Sequence, residues 1–216
     1  FITLAIDGSL LQLPDSQELL EKFGYSSNQT IKKLPMARIS VLYDTLNGLI
    51  LDSKIKPYNA SERDIALEHL EALKSLGINL KRVLIIFDRG YPSISLIYYM
   101  LQNGINFLIR SGMGFLKEVK EVVNSNKKDA MIEINYNRLQ PDVKKEIQQM
   151  FPNIEATAII SFRVVIVMLK TGENEVLLTS LVCKETYPRG IFHDLYFLRW
   201  GIEESYKFCK CGLELE

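Results

Sequence analysis

Tyr196, Arg199, Glu203 and Lys210 stand near the end of the chain, separated by two, three and six residues. On a helix turning about 100° per residue they project at roughly 0°, 300°, 340° and 320°, an arc of about 60° over a row about 21 Å long. A carboxylate flanked on one ridge by a guanidinium, an ammonium and a phenol suits a phosphate backbone with a metal ion between. The same spacing also describes ordinary surface pairs. Arg199 with Glu203, and Glu203 with Lys207, are each four apart and would be worth about 0.2–0.5 kcal/mol.

Two more acids favour the chemical reading. Asp7 follows the apolar run Phe1–Ile6 and precedes Gly8 and Ser9, so a buried strand would deliver it to its carboxyl edge. An Asp-Gly turn would use the same residues. Asp88 follows Arg82-Val-Leu-Ile-Ile-Phe87, the clearest central strand in the chain. The carboxyl end of such a strand is where α/β sheets carry their chemistry, although Asp88 could instead cap the helix that Pro92 opens. Three carboxylates suit hard divalent cations, and two ions about 3.5–4 Å apart can serve an in-line displacement at phosphorus. Nearby Arg and Lys side chains would hold the phosphates. The chain carries no Gly-x-Ser-x-Gly, no Walker loop and no dinucleotide fingerprint.

The positioning elements follow from periodicity and punctuation. A short helix runs from the Asp15–Glu18 cap pattern to Gly24, and Ser26–Thr30 reads as a mobile loop. Met36–Tyr43 and Leu49–Ile55 form a hairpin about Asn47-Gly48, so the first three strands are expected to be largely antiparallel. Ser61 caps a helix to Leu76, closed by Gly77, with Ile65, Leu67, Leu70, Leu73 and Leu76 inward. After the central strand come a helix from Pro92 to Asn103 and a fifth strand, Ile105–Arg110. Residues 111–187 read as a mainly β insertion. It would hold a helix in 112–124, a strand over Ala130–Ile134, a helix over Pro141–Met150, and a hairpin of Ala156–Lys170 with Glu175–Cys183. Pro188 then opens one final helix bearing the Tyr-Arg-Glu-Lys row. Gly201 inside it costs about 1 kcal/mol against alanine and would permit close approach of the sheet or of DNA. The expected organisation is 1–110 as the first part of the core, 111–187 as the insertion and 188–216 as the catalytic helix.

Composition bounds the partners. The 216 residues carry 26 Lys plus Arg against 26 Asp plus Glu, which argues against a surface that clings to nucleic acid everywhere. A local basic strip round an acidic pocket remains compatible with zero net charge. No apolar run is long enough to cross a membrane and there is no secretory signal, so no membrane partner is expected. The first residue is Phe1, already inside an apolar strand, so the chain reads as the core of a longer protein. Cys183, Cys209 and Cys211 form no CxxC pair and read as reduced cytosolic thiols. His69 falls on an amphipathic helix as a surface residue, His193 lies one turn before Tyr196, and Trp200 reads as a core residue.

Tyr196, Arg199, Glu203 and Lys210 reproduce the Tyr-Arg-Glu-Lys signature of a large group of bacterial insertion-sequence transposases, the cut-and-paste DDE type. Ala5-Ile-Asp7-Gly8-Ser9 and Phe87-Asp88-Arg89-Gly90-Tyr91 also resemble that family's first and second acid motifs, and the resemblance spans nearly the whole chain. It implies an α/β, ribonuclease H-like mixed sheet flanked by helices, with the β insertion before the last catalytic helix. It implies that Asp7, Asp88 and Glu203 bind two Mg²⁺ ions, with Mn²⁺ as a substitute. Tyr196, Arg199 and Lys210 would contact transposon-end DNA, joined by Lys207 and Arg89. Water, then a freed 3′-hydroxyl, would attack phosphorus. Double-stranded DNA, both transposon ends and target, would be the partner, with a dimer in the synaptic complex of a cytoplasmic, nucleoid-associated bacterial protein. Two alternatives stand: a nuclease of the same fold without strand transfer, and a degenerate relative that binds DNA without cutting it.

Overall fold

The chain forms β1 (Ile2–Gln12), α1 (Gln17–Phe23), β2 (Met36–Asp44), β3 (Leu49–Pro57), α2 (Glu62–Ser75), β4 (Val83–Phe87), α3 (Ile94–Gln102) and β5 (Asn106–Ser111). There follow α4 (Lys117–Asn124), β6 (Asp129–Asn135), α5 (Pro141–Met150), β7 (Ile159–Met168), β8 (Asn174–Thr179), α6 (Phe192–Phe197) and α7 (Trp200–Lys207). A computed structural model describes residues 1–26, 33–125, 127–169 and 171–212. Residues 27–30 of the expected mobile loop lie outside the described residues. The chain divides into two units, one of residues 1–2 and 79–197, the other of residues 3–78 and 198–216.

In the second of these units β1, β2 and β3 pair antiparallel, as the sequence pattern requires. Asp44 builds the hairpin turn. Its carboxylate accepts from the Leu46 and Asn47 backbone N–H groups and from the Asn47 amide, while Gly48 takes φ 70°. The turn therefore spans four residues rather than the two that Asn-Gly alone would need. Strand β1 corrects one expectation. It does not stop at Ile6 but runs on to Gln12, because the residues from Asp7 to Gln12 pair with Val41 back to Met36. Asp7 thus projects from mid-strand. Helix α2 starts on the Ser61 hydroxyl, which accepts from the Asp64 N–H, and ends before Gly77 at φ 68°. Its buried face holds Ile65, Ala66, His69, Leu70 and Leu73, whereas Leu76, expected inward, is exposed.

In the unit of residues 1–2 and 79–197, β4 and β5 are parallel, and β5, β8, β7 and β6 follow antiparallel. All five side chains of β4 are buried, which explains why that segment reads as an unbroken apolar run. Ser93, not Asp88, caps α3, its hydroxyl accepting from the Leu96 N–H, and Pro92 lies just outside the helix. Seven consecutive α3 residues, Ile94 to Met100, are buried, with the Tyr98 ring edge-on to Phe151 at 5.2 Å. The stretch 111–187 contributes β6, β7 and β8 together with α4 and α5, and β8 hydrogen-bonds directly to β5.

Candidate active site

The final segment is not one continuous helix. A short 3-10 turn, Arg189–Ile191, leads into α6, and the backbone tightens at Leu198–Arg199, where Gly201 and Ile202 bond back only three residues. A π-helical turn, Phe208–Gly212, then prolongs α7. A wheel of uniform 100° steps therefore does not describe Tyr196 to Lys210, and each side chain must be placed by its own contacts.

Helix α7 lies on its own strands. Ile202 and Tyr206 pack with Ala5 of β1 and Val41 of β2, flanked by Ile39 and Tyr43. Burying Ile202 fully contributes about 1.5–3 kcal/mol and fixes which face of α7 points outward. Gly201 matters here. A Cβ at that position would meet Cε1 of Tyr43 at 3.2 Å, so glycine allows the close approach of helix to sheet. Residues three and four apart from this buried pair are then held over β1. The guanidinium of Arg199, 7% exposed, lies 3.6 Å from Asp7 Oδ2 and 2.5 Å from Glu203 Oε1. One cation thus joins the first acid motif to the third, with both carboxylates about a quarter to a third exposed (22% and 31%). The i, i+4 pair Arg199–Glu203 is real, but it is also a tertiary contact. Lys210 donates to the Leu10 carbonyl at 2.5 Å. Lys207 pairs with Glu204 at 2.7 Å and stands 5.2 Å from the centre of the Trp200 ring, not with Glu203. Trp200, expected in the core, is 46% exposed.

Asp88 occupies the position expected of it, just past the end of β4. The Tyr196 hydroxyl, on a side chain 8% exposed, donates to Asp88 Oδ1 at 2.9 Å across 108 residues of sequence. Arg110, at the parallel end of β5, places Nη1 3.8 Å from the same oxygen and Nε 3.0 Å from Glu175 Oε1. Burial lifts the Glu175 carboxyl above the ordinary glutamate value, with the Arg110 charge pulling the other way. Arg89 is exposed beside this group. Sequence reading missed Arg110 and Glu175. The signal was a charged residue at the end of each of two otherwise apolar strands, Ile105–Arg110 and Glu175–Thr179.

Among the described residues no group of three or more His, Cys, Asp or Glu side chains is arranged to hold a metal ion. The oxygen donors are all carboxylates, and Asp7 and Glu203 share a cation already, in the form of Arg199. That donor chemistry fits a hard divalent ion better than a thiophilic one.

The profile of the transposase DDE domain matches residues 2–215. The chain belongs to that family. No curated protein sequence matches it significantly. Among solved structures, the transposase domain is similar to a piggyBac transposase determined by cryo-EM in a synaptic complex with hairpin DNA. The TM-score is 0.57 at 13% identity, covering 97% of this chain and 40% of that one. The likeness shows the fold, the mixed α/β sheet of a ribonuclease H-like transposase core that the motifs imply. This transposase domain spans 40% of the length of that relative. No helix among its described residues is long and apolar enough to cross a membrane.

Proposed function

We propose that the domain carries out divalent-metal-dependent cleavage and strand transfer of DNA at the ends of a bacterial insertion sequence. The observation that carries this reading is the contact of Tyr196 with Asp88 and of Arg199 with Asp7. Tyr196 donates to Asp88, and Arg199 donates to Glu203 and stands 3.6 Å from Asp7, although more than a hundred residues separate the tyrosine and the arginine from their aspartates. Surface pairs formed by helical spacing alone would not reach either aspartate.

Asp7, Asp88 and Glu203 would hold two Mg²⁺ ions, or Mn²⁺ in their place. Bound there, the ions would supply charge stabilisation and an activated oxygen for in-line attack at phosphorus. The chain's own residues do the rest. Arg199, buried and planar, lies against both carboxylates and screens each from the other's charge. Tyr196 donates to Asp88 Oδ1 and so fixes the orientation of that carboxylate. Arg89 and Lys207 are exposed cations for the DNA backbone, and half-buried Lys210, anchored on Leu10, would add a further contact. The partner is double-stranded DNA, ends and target, with two copies of the protein in the synaptic complex.

The test is nicking and joining of supercoiled plasmid with Mg²⁺ or Mn²⁺. Glu203→Gln should abolish cleavage while DNA binding persists, and equal activity in the variant would overturn the site. Simple nicks without joined products would instead identify a nuclease of the same fold. Binding without metal-dependent cleavage would identify a relative that has lost catalysis.

A further inference from the structure

His69 is fully buried, not on the surface where its helical position suggests it should be. Its Nδ1 lies 2.8 Å from Asp52 Oδ2 and its Nε2 3.1 Å from the Ser40 hydroxyl. The same hydroxyl lies 3.0 Å from the main-chain carbonyl of Asp7, to which Tyr206 of α7 also donates at 2.8 Å. A four-membered row thus runs Asp52, His69, Ser40, Asp7 carbonyl. It ends on the peptide that carries the first acid, three residues from where Glu203 leaves the same helix as Tyr206.

The protons in this row cannot satisfy every contact at once. Asp52, as a carboxylate, accepts only, so the ring must present N–H at Nδ1. In the neutral ring Nε2 is then bare and competes with the Asp7 carbonyl for the single Ser40 proton. In the charged ring Nε2–H donates to Ser40 Oγ, and the Ser40 proton goes to the Asp7 carbonyl. We propose that His69, acting through Ser40, is a positioning residue for Asp7: the ring decides whether the Ser40 hydroxyl is given to the Asp7 carbonyl or kept from it. The consequence for catalysis rests on the reading of Asp7 as a metal-binding acid. The relay itself does not.

The charged groups that face the ring are few. Asp52 and Lys54 come from β3, with Lys54 paired to Asp52 at 2.9 Å. Glu68 comes from α2 itself and is paired to Lys56 at 2.8 Å. From β2 the ring meets uncharged Ser40. Burial pulls the ring below its ordinary pKa, opposed by Asp52, so the neutral state dominates near pH 7 and the switch lies on the acid side.

Asp7-Gly8 is the single Asp-Gly pair in the sequence, so labelling Asp carbonyl carbon and Gly nitrogen gives one resonance for the peptide in question. The experiment follows that carbonyl and the His69 ring nitrogens by NMR in the metal-free chain as pH falls. The expected result is a carbonyl shift with the midpoint of the ring. In Ser40→Ala the ring should still titrate while the carbonyl stays still. In His69→Leu no side-chain acceptor competes with the Asp7 carbonyl for the Ser40 proton, so the carbonyl should sit at its acid-side position throughout. A ring that titrates beside an indifferent carbonyl overturns the proposal. If the ring stays neutral until the protein unfolds, His69→Leu must still displace the carbonyl from its wild-type position, and no displacement overturns it. Plasmid nicking across the same pH range separates the two claims. Co-titration with a nicking rate that ignores both variants keeps the relay and counts against Asp7 as a metal ligand.

Discussion

Arg163 of β7 has no exposed surface, yet it carries a full charge. Its guanidinium donates to both oxygens of Asp129, at 2.8 and 2.6 Å, and to the carbonyls of Leu181 and Tyr187, at 2.9 and 2.8 Å. It also faces the Phe192 ring at 5.1 Å. The side chain therefore ties the strand to the segment that leads into α6, where Tyr196 resides. Arg163→Met keeps an unbranched apolar stem as far as the Nε position and removes every donor. Stranding one member of a buried pair costs about 3–5 kcal/mol, and each carbonyl left without its donor about 1–3 kcal/mol more. Asp129 moderates this, because it is 19% exposed and retains Lys184 at 3.3 Å, so about 3–5 kcal/mol in total is expected. Urea unfolding at pH 7 measures it. Adding Asp129→Asn should recover part of the loss, with a coupling of about 0.5–3 kcal/mol. The pH dependence has a definite sign. The hydrogen bond from Arg163, and secondarily its charge, hold the Asp129 carboxyl below its ordinary value, against a smaller opposing effect of burial. The contribution is therefore complete above the unfolded-state pKa of 3.8 and is lost as pH falls through the folded value. In Arg163→Met that acid limb should flatten. A loss under about 1 kcal/mol at pH 7, or no coupling with Asp129, would refute the reasoning.

Tyr196→Phe removes the donor to Asp88 and should cost only about 1 kcal/mol, because Asp88 is 38% exposed and water can replace the hydroxyl. Plasmid nicking should nevertheless fall, by up to about 100-fold if the carboxylate swings away, and unchanged nicking would remove Tyr196 from the site. Gly201→Ala sets a helix-propensity gain of about 1 kcal/mol against a Cβ 3.2 Å from the Tyr43 ring. It should destabilise the wild type and stabilise a Tyr43→Ala background, which a thermal-unfolding cycle reads directly.

How much of this was legible in the sequence depends on whether a residue's role is local. The strands and helices were, because apolar period and capping residues are local facts: Pro141–Met150 matches α5 residue for residue, and Ser61 caps α2 as its position suggests. Asp88 was legible for the same reason, since the end of an unbroken buried run is visible in one dimension. Asp7 was found as a residue but not as a position. Strand pairing with Met36–Val41 overrode the Asp-Gly signal and carried β1 five residues past the acid. The Tyr-Arg-Glu-Lys row was found by assuming uniform helix, and the tightened turn at Leu198 breaks that assumption. What survives is better grounded than the wheel, since Tyr196 donates to one aspartate and Arg199 pairs with the other across the fold. His69 was read as a surface residue, and Arg163 was not singled out at all. Both are polar groups buried by elements distant in sequence, Asp52 and Ser40 in one case, Asp129 and Tyr187 in the other. A single histidine on an amphipathic helix, or a single arginine in an apolar strand, shows only that a partner must exist. Which residue supplies it is a fact of the fold, and here those partners lead, through Ser40 and through Tyr187, to the peptide of Asp7 and to the segment that carries Tyr196.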